Sequence, residues 1–260
     1  MSKANIYCFS GTGNSLYAAV EIQKALCNAT LIPMNSIAPV SAIDADVIGF
    51  IFPVHHWTMP ELVKSYIEAL DINPAAYIFG IASCGGIVVN ALNDLEALMN
   101  DKSATLSYSA IHNNVASYVA AYEPFPKPDK TLPIAEQELQ KIIQDVCMRK
   151  KNKPAAKSFR KEMLRVIGNY YIKRLPIKDT GFKISMSCNA CGLCERICPS
   201  HNIKLSDRPT FLHRCTQCMS CIAYCPQGAI NYKNKTQSRC KYHNPNIAAS
   251  DLVDFYSKEI

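Results

Sequence analysis

Two cysteine runs constrain this chain more than any other feature. Residues 188–199 read CNACGLCERICP and residues 215–226 read CTQCMSCIAYCP. Each is C-x-x-C-x-x-C-x-x-x-C-P, and every cysteine and the terminal proline recur at an offset of 27 positions: Cys188 with Cys215, Cys191 with Cys218, Cys194 with Cys221, Cys198 with Cys225, Pro199 with Pro226. Ile203 and Ile230 keep the same offset. An internal duplication of this kind predicts a small module with pseudo-two-fold symmetry.

The spacing has a chemical reason. Three thiolates two residues apart can curl around one face of a 4Fe–4S cube, while the fourth lies too far along the chain and ligates the other cube. This assigns cluster I to Cys188, Cys191, Cys194 and Cys225, and cluster II to Cys215, Cys218, Cys221 and Cys198. Pro199 and Pro226 cannot donate a backbone hydrogen bond and turn the chain away from each cluster. Zinc is the competing ligand, but a four-ligand site uses both triplets awkwardly. Disulfides need an oxidising compartment, and nothing in the sequence suggests export. By this motif residues 183–232 resemble a bacterial two-cluster ferredoxin.

The other five cysteines, Cys8, Cys27, Cys84, Cys147 and Cys240, form no framework spacing. Reduced thiols in a cytoplasm fit best. The N-terminal stretch has no long apolar segment of the kind that opens a signal peptide, and the most apolar run, Val47–Val54, is too short to span a bilayer. Net charge is +7 at neutral pH. Residues 1–150 carry 9 Lys and Arg against 14 Asp and Glu, residues 151–260 carry 19 against 7. A basic half invites a nucleic-acid reading. Here iron-bound thiolates would be compensated internally, and the remaining excess suits an acidic redox partner.

Residues 4–9 read as a short buried strand, followed by Ser10-Gly11-Thr12-Gly13-Asn14-Ser15 and a helical pattern. A strand, a tight polar loop and a helix N-terminus make an anion site. The loop lacks the Gly-Lys-Ser/Thr of a Walker loop, and Leu16 stands where a dinucleotide loop needs its third glycine. Hydroxyls and backbone without a cation resemble the flavodoxin loop that holds the FMN phosphate. Further strands are expected at residues 30–34, 46–52, 76–82 and 105–111, and helices at 61–70 and 87–99, giving a doubly wound parallel sheet. In the flavodoxin-like order 2-1-3-4-5 the flavin sits beyond strands 1 and 3. The second loop there, Pro53-Val54-His55-His56-Trp57, offers an aromatic plane. The third, Ser83-Cys84-Gly85-Gly86, lets backbone approach the ring. Trp57 reads either as a stacking residue or as a ring covering the domain edge. His55, His56 and Cys84 are candidates for catalysis, with loop histidines and a small turn residue as the plainer readings. Cys8 reads as core.

Residues 123–129 are a proline-rich break, and a helix is expected from Pro133 to about Lys150. Residues 149–178 hold eleven Lys or Arg against one Glu, with Phe159, Met163, Val166, Ile167 and Tyr170 at helical spacing. That pattern reads as a connector helix packing its apolar stripe on the body, in preference to a basic helix on a membrane surface. The tail, residues 233–260, is aromatic and basic enough to dock back on the body.

Read whole, the chain resembles the flavodoxin–ferredoxin fusions of anaerobes, iron–sulfur flavoproteins with a flavodoxin-like region (1–150), here joined by a basic connector (151–182) to a two-cluster ferredoxin region (183–232). The SGTGNS, FPVHHW and KYHNP stretches and the cysteine repeat carry the likeness. It implies FMN, two 4Fe–4S clusters, and electron transfer between one-electron and two-electron chemistry, with a redox protein or small molecule as donor or acceptor and no nucleic acid. Two alternatives stand beside it: an FMN-dependent reductase of a quinone or nitro compound, and a redox-sensing or binding module. His55-His56 occupies a place where a Tyr or other aromatic is common in the family.

Overall fold

The computed structural model describes residues 3–35, 37, 39–156 and 159–258. Five short apolar runs form one parallel sheet: β1 (Ala4–Cys8), β2 (Ala29–Pro33), β3 (Val47–Pro53), β4 (Tyr77–Cys84) and β5 (Leu106–Asn113). The order is β2-β1-β3-β4-β5, and every adjacent pair is parallel. This is the flavodoxin-like doubly wound arrangement, whose switch point lies between β1 and β3.

Alternation along each strand sends side chains to two cores. Tyr7, Phe9, Phe50, Phe52 and Ile78 pack under α2 (Glu61–Ala69) and α3 (Ala91–Asp101). Ile6, Cys8, Ile51, Phe79 and Ile81 pack under α1 (Asn14–Ala25) and α4 (Pro128–Cys147). Both faces are covered, which is why these strands read as near-continuous apolar runs.

Two helix starts depart from the sequence expectation. Helix α3 opens at Ala91 rather than residue 87, because the Val89 and Asn90 N–H groups donate to the Trp57 carbonyl at 3.3 and 3.4 Å. Helix α4 opens at Pro128, five residues before Pro133. The last proline of the break takes the first helical turn, where its missing N–H costs nothing.

Helix α5 (Phe159–Ile172) overturns the expectation that its apolar stripe packs on the body. Met163, Val166, Ile167 and Tyr170 face solvent, Val166 at 62% exposure. The inward face is polar and small instead. Gly168 lies so close to the His56 carbonyl that a Cβ would stand 2.4 Å from it. Arg165 pairs with Asp94 at 3.9 Å and with Glu162. A cavity of about 390 Å3 between α5 and helices α2 and α3 is lined by Glu61, Lys64, Glu68, Asp94, Asp101 and Lys173. Charged residues line both sides of it, with Arg165–Asp94 the ion pair that crosses from α5 to α3, and the apolar side is outward. No helix among the described residues is long and apolar enough to cross a membrane.

A 3-10 turn, Pro176–Gly181, leads into the cysteine region. There β6 (Phe182–Ile184), α6 (Leu193–Arg196) and β7 (Ile203–Leu205) recur as β8 (Pro209–Phe211), α7 (Ser220–Ala223) and β9 (Ile230–Tyr232). Strand β6 pairs antiparallel with β9, and β7 with β8, so each half exchanges strands with the other. Left-handed backbone recurs in step: Ala190 (φ 55°) with Gln217 (51°), Gly192 (74°) with Met219 (65°), His201 (47°) with Gly228 (56°). The duplication is therefore one of backbone path as well as of cysteine positions.

The regions share cores. Val119 and Ala120, from the loop after β5, are buried with Phe182, Ile203, Ile222 and Ile230. Ile197 and Tyr224 join the core beneath α1, as do Leu252 and Phe255 of the last helix, α8 (Ala249–Tyr256).

Candidate functional site

Ser10–Ser15 lie buried between β1 and α1. The Leu16 N–H donates to Ser10 Oγ at 3.3 Å, which leaves the Ser10 hydroxyl hydrogen free to donate elsewhere. Thr12 Oγ1 and Ser117 Oγ are 2.7 Å apart. The backbone N–H groups of residues 11–15 have no acceptor among the described residues. They gather at the positive end of α1, the arrangement that attracts an anion. Gly13 takes φ 94°, a conformation that favours glycine.

This loop is held from behind by the chain terminus. Tyr242 Oη donates to Asn14 Oδ1 at 2.8 Å, Asn244 Nδ2 donates to the same oxygen at 3.1 Å, and the Asn244 N–H donates to the Thr12 carbonyl at 2.8 Å. Asn14 Nδ2 donates to the Val115 carbonyl at 3.1 Å. Tyr256 Oη accepts from the Ser10 N–H at 3.0 Å and donates to the Ser10 carbonyl at 2.6 Å. Asn14 therefore shapes the loop by its side chain and offers only its N–H to a ligand.

The loop after β3 is a tight turn closed by two hydrogen bonds of 3.0 Å between the His55 and Thr58 backbones. Its central residues, His56 (φ 45°) and Trp57 (φ 69°), are both left-handed without being glycine. Such strain persists only where surrounding packing holds it. His56 stacks on Tyr171 of α5 at 5.7 Å and meets Tyr118 edge-on at 5.8 Å. Burial lowers the His55 pKa to about 3, with its neighbour His56 adding to the effect. Burial also lowers His56, reinforced by Lys178.

After β4, Gly85 passes within 2.0 Å of Ala116 N as measured from where its Cβ would be, while Gly86 faces open space. Burial raises the Cys84 thiol, opposed by a Gly86 N–H donated to its sulfur at 3.2 Å.

These three loops enclose a cavity of about 520 Å3 that also takes in Ser10, Gly11, Thr12, Asn14 and Ser15. Gly13 does not line it; it packs instead toward Tyr224, Asn244 and Ile247. Two further walls escaped the sequence reading. One is the segment after β5, with Ser117, Tyr118, Tyr122 and Phe125. The tyrosines stand four apart, and Tyr122 meets Tyr118 at 6.1 Å and Phe125 at 4.9 Å, both edge-on. The other is Thr216–Met219, from the second cysteine run, with Leu175 beside it. Two atoms in residues lining this cavity are buried without a hydrogen-bond partner: Ser83 Oγ and Gln217 Nε2. Buried polar groups are seldom left so, and here they lie beside a space that a polar-edged ring could fill. An aromatic lining, a nest of free N–H groups and unpartnered polar atoms together fit FMN.

Cys188, Cys191, Cys194 and Cys225, the four expected to act together, line one small cavity, and Cys221, expected in the other set, lines it too. The space is small, about 20 Å3, so a cube would have to spread these side chains. Burial raises the Cys215 and Cys218 thiols, and each feels Cys198. Cys221, likewise raised chiefly by burial, feels Cys215, Cys218 and Cys198, and also Cys194 of the other set. Cys194 is pushed up to about 11, chiefly by burial, with Cys191 and Cys225 adding to the shift. Backbone N–H groups donate to three of the sulfurs: Asn202 to Cys198 at 3.3 Å, Gln217 to Cys215 at 3.2 Å, Ala229 to Cys225 at 3.3 Å. Of the eight, Cys194 is buried, Cys191 exposed and the other six half-buried; thiols that receive N–H donors have the chemistry a cluster would need, since a cluster would bind them as thiolates. Among the described residues no group of three or more His, Cys, Asp or Glu is gathered tightly enough to hold a metal ion.

No family model and no curated protein sequence matches the chain. Among solved structures, it is similar to a candidate flavoprotein of Bacteroides uniformis, at 18% identity and TM-score 0.37, over 43% of this chain and 90% of that one. A second candidate flavoprotein, from Bacteroides eggerthii, aligns at 17% identity and TM-score 0.36, over 43% and 88%. The two-electron reduced flavodoxin of Megasphaera elsdenii aligns at 19% identity and TM-score 0.33, over 42% and 84%.

Proposed function

We propose that this chain is an electron-transfer flavo-iron–sulfur protein, in which FMN lies at the end of β1, β3 and β4 and two 4Fe–4S clusters lie in residues 183–232. One observation carries the reading. Cys218, a ligand assigned to cluster II, lines the same cavity as the phosphate loop and Trp57. A bound flavin and an iron–sulfur centre would then share a wall, with no intervening element to slow electron tunnelling.

The roles follow from the donors present. The N–H groups of residues 11–15, with the Ser10 and Thr12 hydroxyls, would hold the phosphate. The Gly85-Gly86 backbone, Ser83 and Gln217 would meet the polar edge of the ring, and Trp57, Tyr118 and Tyr122 its faces. Cys188, Cys191, Cys194 and Cys225 would carry cluster I, and Cys215, Cys218, Cys221 and Cys198 cluster II. When bound, the clusters supply one-electron steps and the flavin supplies storage for two electrons. The protein's part is to exclude water and fix the spacing. Reduced thiols suit a reducing cytoplasm, and the basic half suits an acidic donor or acceptor.

A direct reductase of small organic molecules is less well supported. It needs an acid beside the ring, and partial burial disfavours the charged form of both histidines of the second loop. The test is anaerobic purification followed by absorption spectra and counts of flavin, iron and acid-labile sulfide. One flavin with about eight irons and eight sulfides per chain is expected for two such clusters. Zinc in place of iron, or a preparation free of flavin, would end the reading. A Cys218→Ser variant should lose one cluster signal and keep its flavin.

A further inference from the structure

The two cysteine halves follow the same backbone path, but the charges around them differ. In the second half the Gly228–Ala229 peptide is bonded at both ends. Its N–H donates to Cys225 Sγ at 3.3 Å, and its carbonyl accepts from Lys241 Nζ at 2.6 Å. Lys241 also donates to the Ile230 carbonyl at 3.3 Å. In the first half, the equivalent His201–Asn202 peptide gives its N–H to Cys198 Sγ at 3.3 Å. No cation reaches its carbonyl among the described residues. The Asn202 side chain instead donates to the buried carboxylate of Asp179 at 3.0 Å.

Building on the reading above, we infer that Lys241 sets the potentials of the two clusters apart, raising that of the cluster bound through Cys225. Reduction adds negative charge to a cluster, so a fixed ammonium nearby favours the reduced form. A cation on a peptide carbonyl also polarises the amide, and the N–H at its other end becomes a better donor to sulfur. Both effects act on the Cys225 side alone. Lys241 is half-buried, which limits screening by solvent. Lys241 comes from the tail rather than from the duplicated segment, so the asymmetry is imposed on a symmetric module from outside. Cluster I becomes the easier centre to reduce, and cluster II, beside the flavin cavity, the harder one.

The test is an EPR-monitored redox titration of the holoprotein. A Cys191→Ser variant first identifies which signal belongs to cluster I. Lys241→Met keeps the aliphatic stem and removes the charge; it should shift the cluster I midpoint to more negative potential and leave cluster II where it was. Lys241→Arg should hold the wild-type value. Lys241→Gln can still donate to the Gly228 carbonyl, and a shift in it close to that of the methionine variant is expected if charge is the agent. An unchanged cluster I midpoint in Lys241→Met, an equal shift of both clusters, or an arginine variant as displaced as the methionine one would overturn the inference while leaving the cofactor assignment intact. Wild-type protein without iron would instead overturn the parent reading and this inference with it.

Discussion

The carbonyl oxygen of Cys218 stands where a side chain on Gly11 would begin: a Cβ built on Gly11 lies 2.2 Å from it and 2.9 Å from Cys218 Cβ. The anion loop of the first sheet and the second cysteine run thus meet backbone to backbone. The closeness of the two proposed cofactors depends on this contact.

Gly11→Ala is therefore expected to force the two apart and to destabilise the protein by about 1–3 kcal/mol, the usual cost of overpacking a tight contact. Gly86→Ala is the control. It has nothing within 4 Å of its Cβ, and stability of the flavin-free protein should stay within about 0.5 kcal/mol. Thermal unfolding of both variants after removal of flavin decides. Equal behaviour of the two variants would mean that the junction yields freely.

Tyr256→Phe removes one hydroxyl that serves both the N–H and the carbonyl of Ser10. Ser10 is buried, so two backbone groups lose their partner at once. A loss of about 1–3 kcal/mol is expected for unsatisfied buried groups. The loop that would hold the phosphate loosens too, so FMN dissociation, followed by recovery of flavin fluorescence, should quicken. Unchanged FMN release at reduced stability would place the tyrosine in support of the fold alone.

The sheet was legible because its strands are buried on both faces and carry uninterrupted apolar side chains. The 27-residue offset was legible because cysteine has few other reasons to recur so regularly. What escaped reading depended on tertiary contact. The left-handed turns at Ala190, Gln217, Met219 and His201 lack the glycine that usually announces them. Tyr118, Tyr122 and Phe125 lie past β5, where no familiar motif marks a wall. Their signal was aromatic spacing, completed by the bridge between Ala116 and Phe125. The stripe on α5 misled because helical periodicity shows that a face is apolar, not which way it points. On α5 it points away from the charges of α2 and α3.

Cys84 borders the cavity, yet its thiol is raised by burial. A protonated thiol is a poor nucleophile. Iodoacetamide at neutral pH should therefore label the exposed Cys27 and Cys240 well before Cys84, read by mass spectrometry of the digested holoprotein. Cys84→Ala should keep its flavin content. Early labelling of Cys84, or loss of flavin in the alanine variant, would give that sulfur a role its environment does not suggest.

Three histidines give the protein a defined acid response. His55 is lowered to about 3, by burial first and then by His56; His56 is lowered by burial and then Lys178. His112 is lowered by burial, against the opposing Ala135 carbonyl bond and the charges of Glu138 and Glu136. An unfolded histidine titrates near 6.5. Above that value both states are neutral and nothing changes. As pH falls below it, the unfolded chain takes up protons that the folded chain refuses, so folding free energy declines until the folded pKa is reached. At pH 5.5 the loss from His55 is about 1.4 kcal/mol, and His56 and His112 add to it in the same direction. Denaturant unfolding at pH 7.5 and 5.5 should show the decline, and His55→Gln should reduce its slope by about one proton. A slope identical in wild type and variant would show that His55 is protonated as freely in the folded protein as in the unfolded chain.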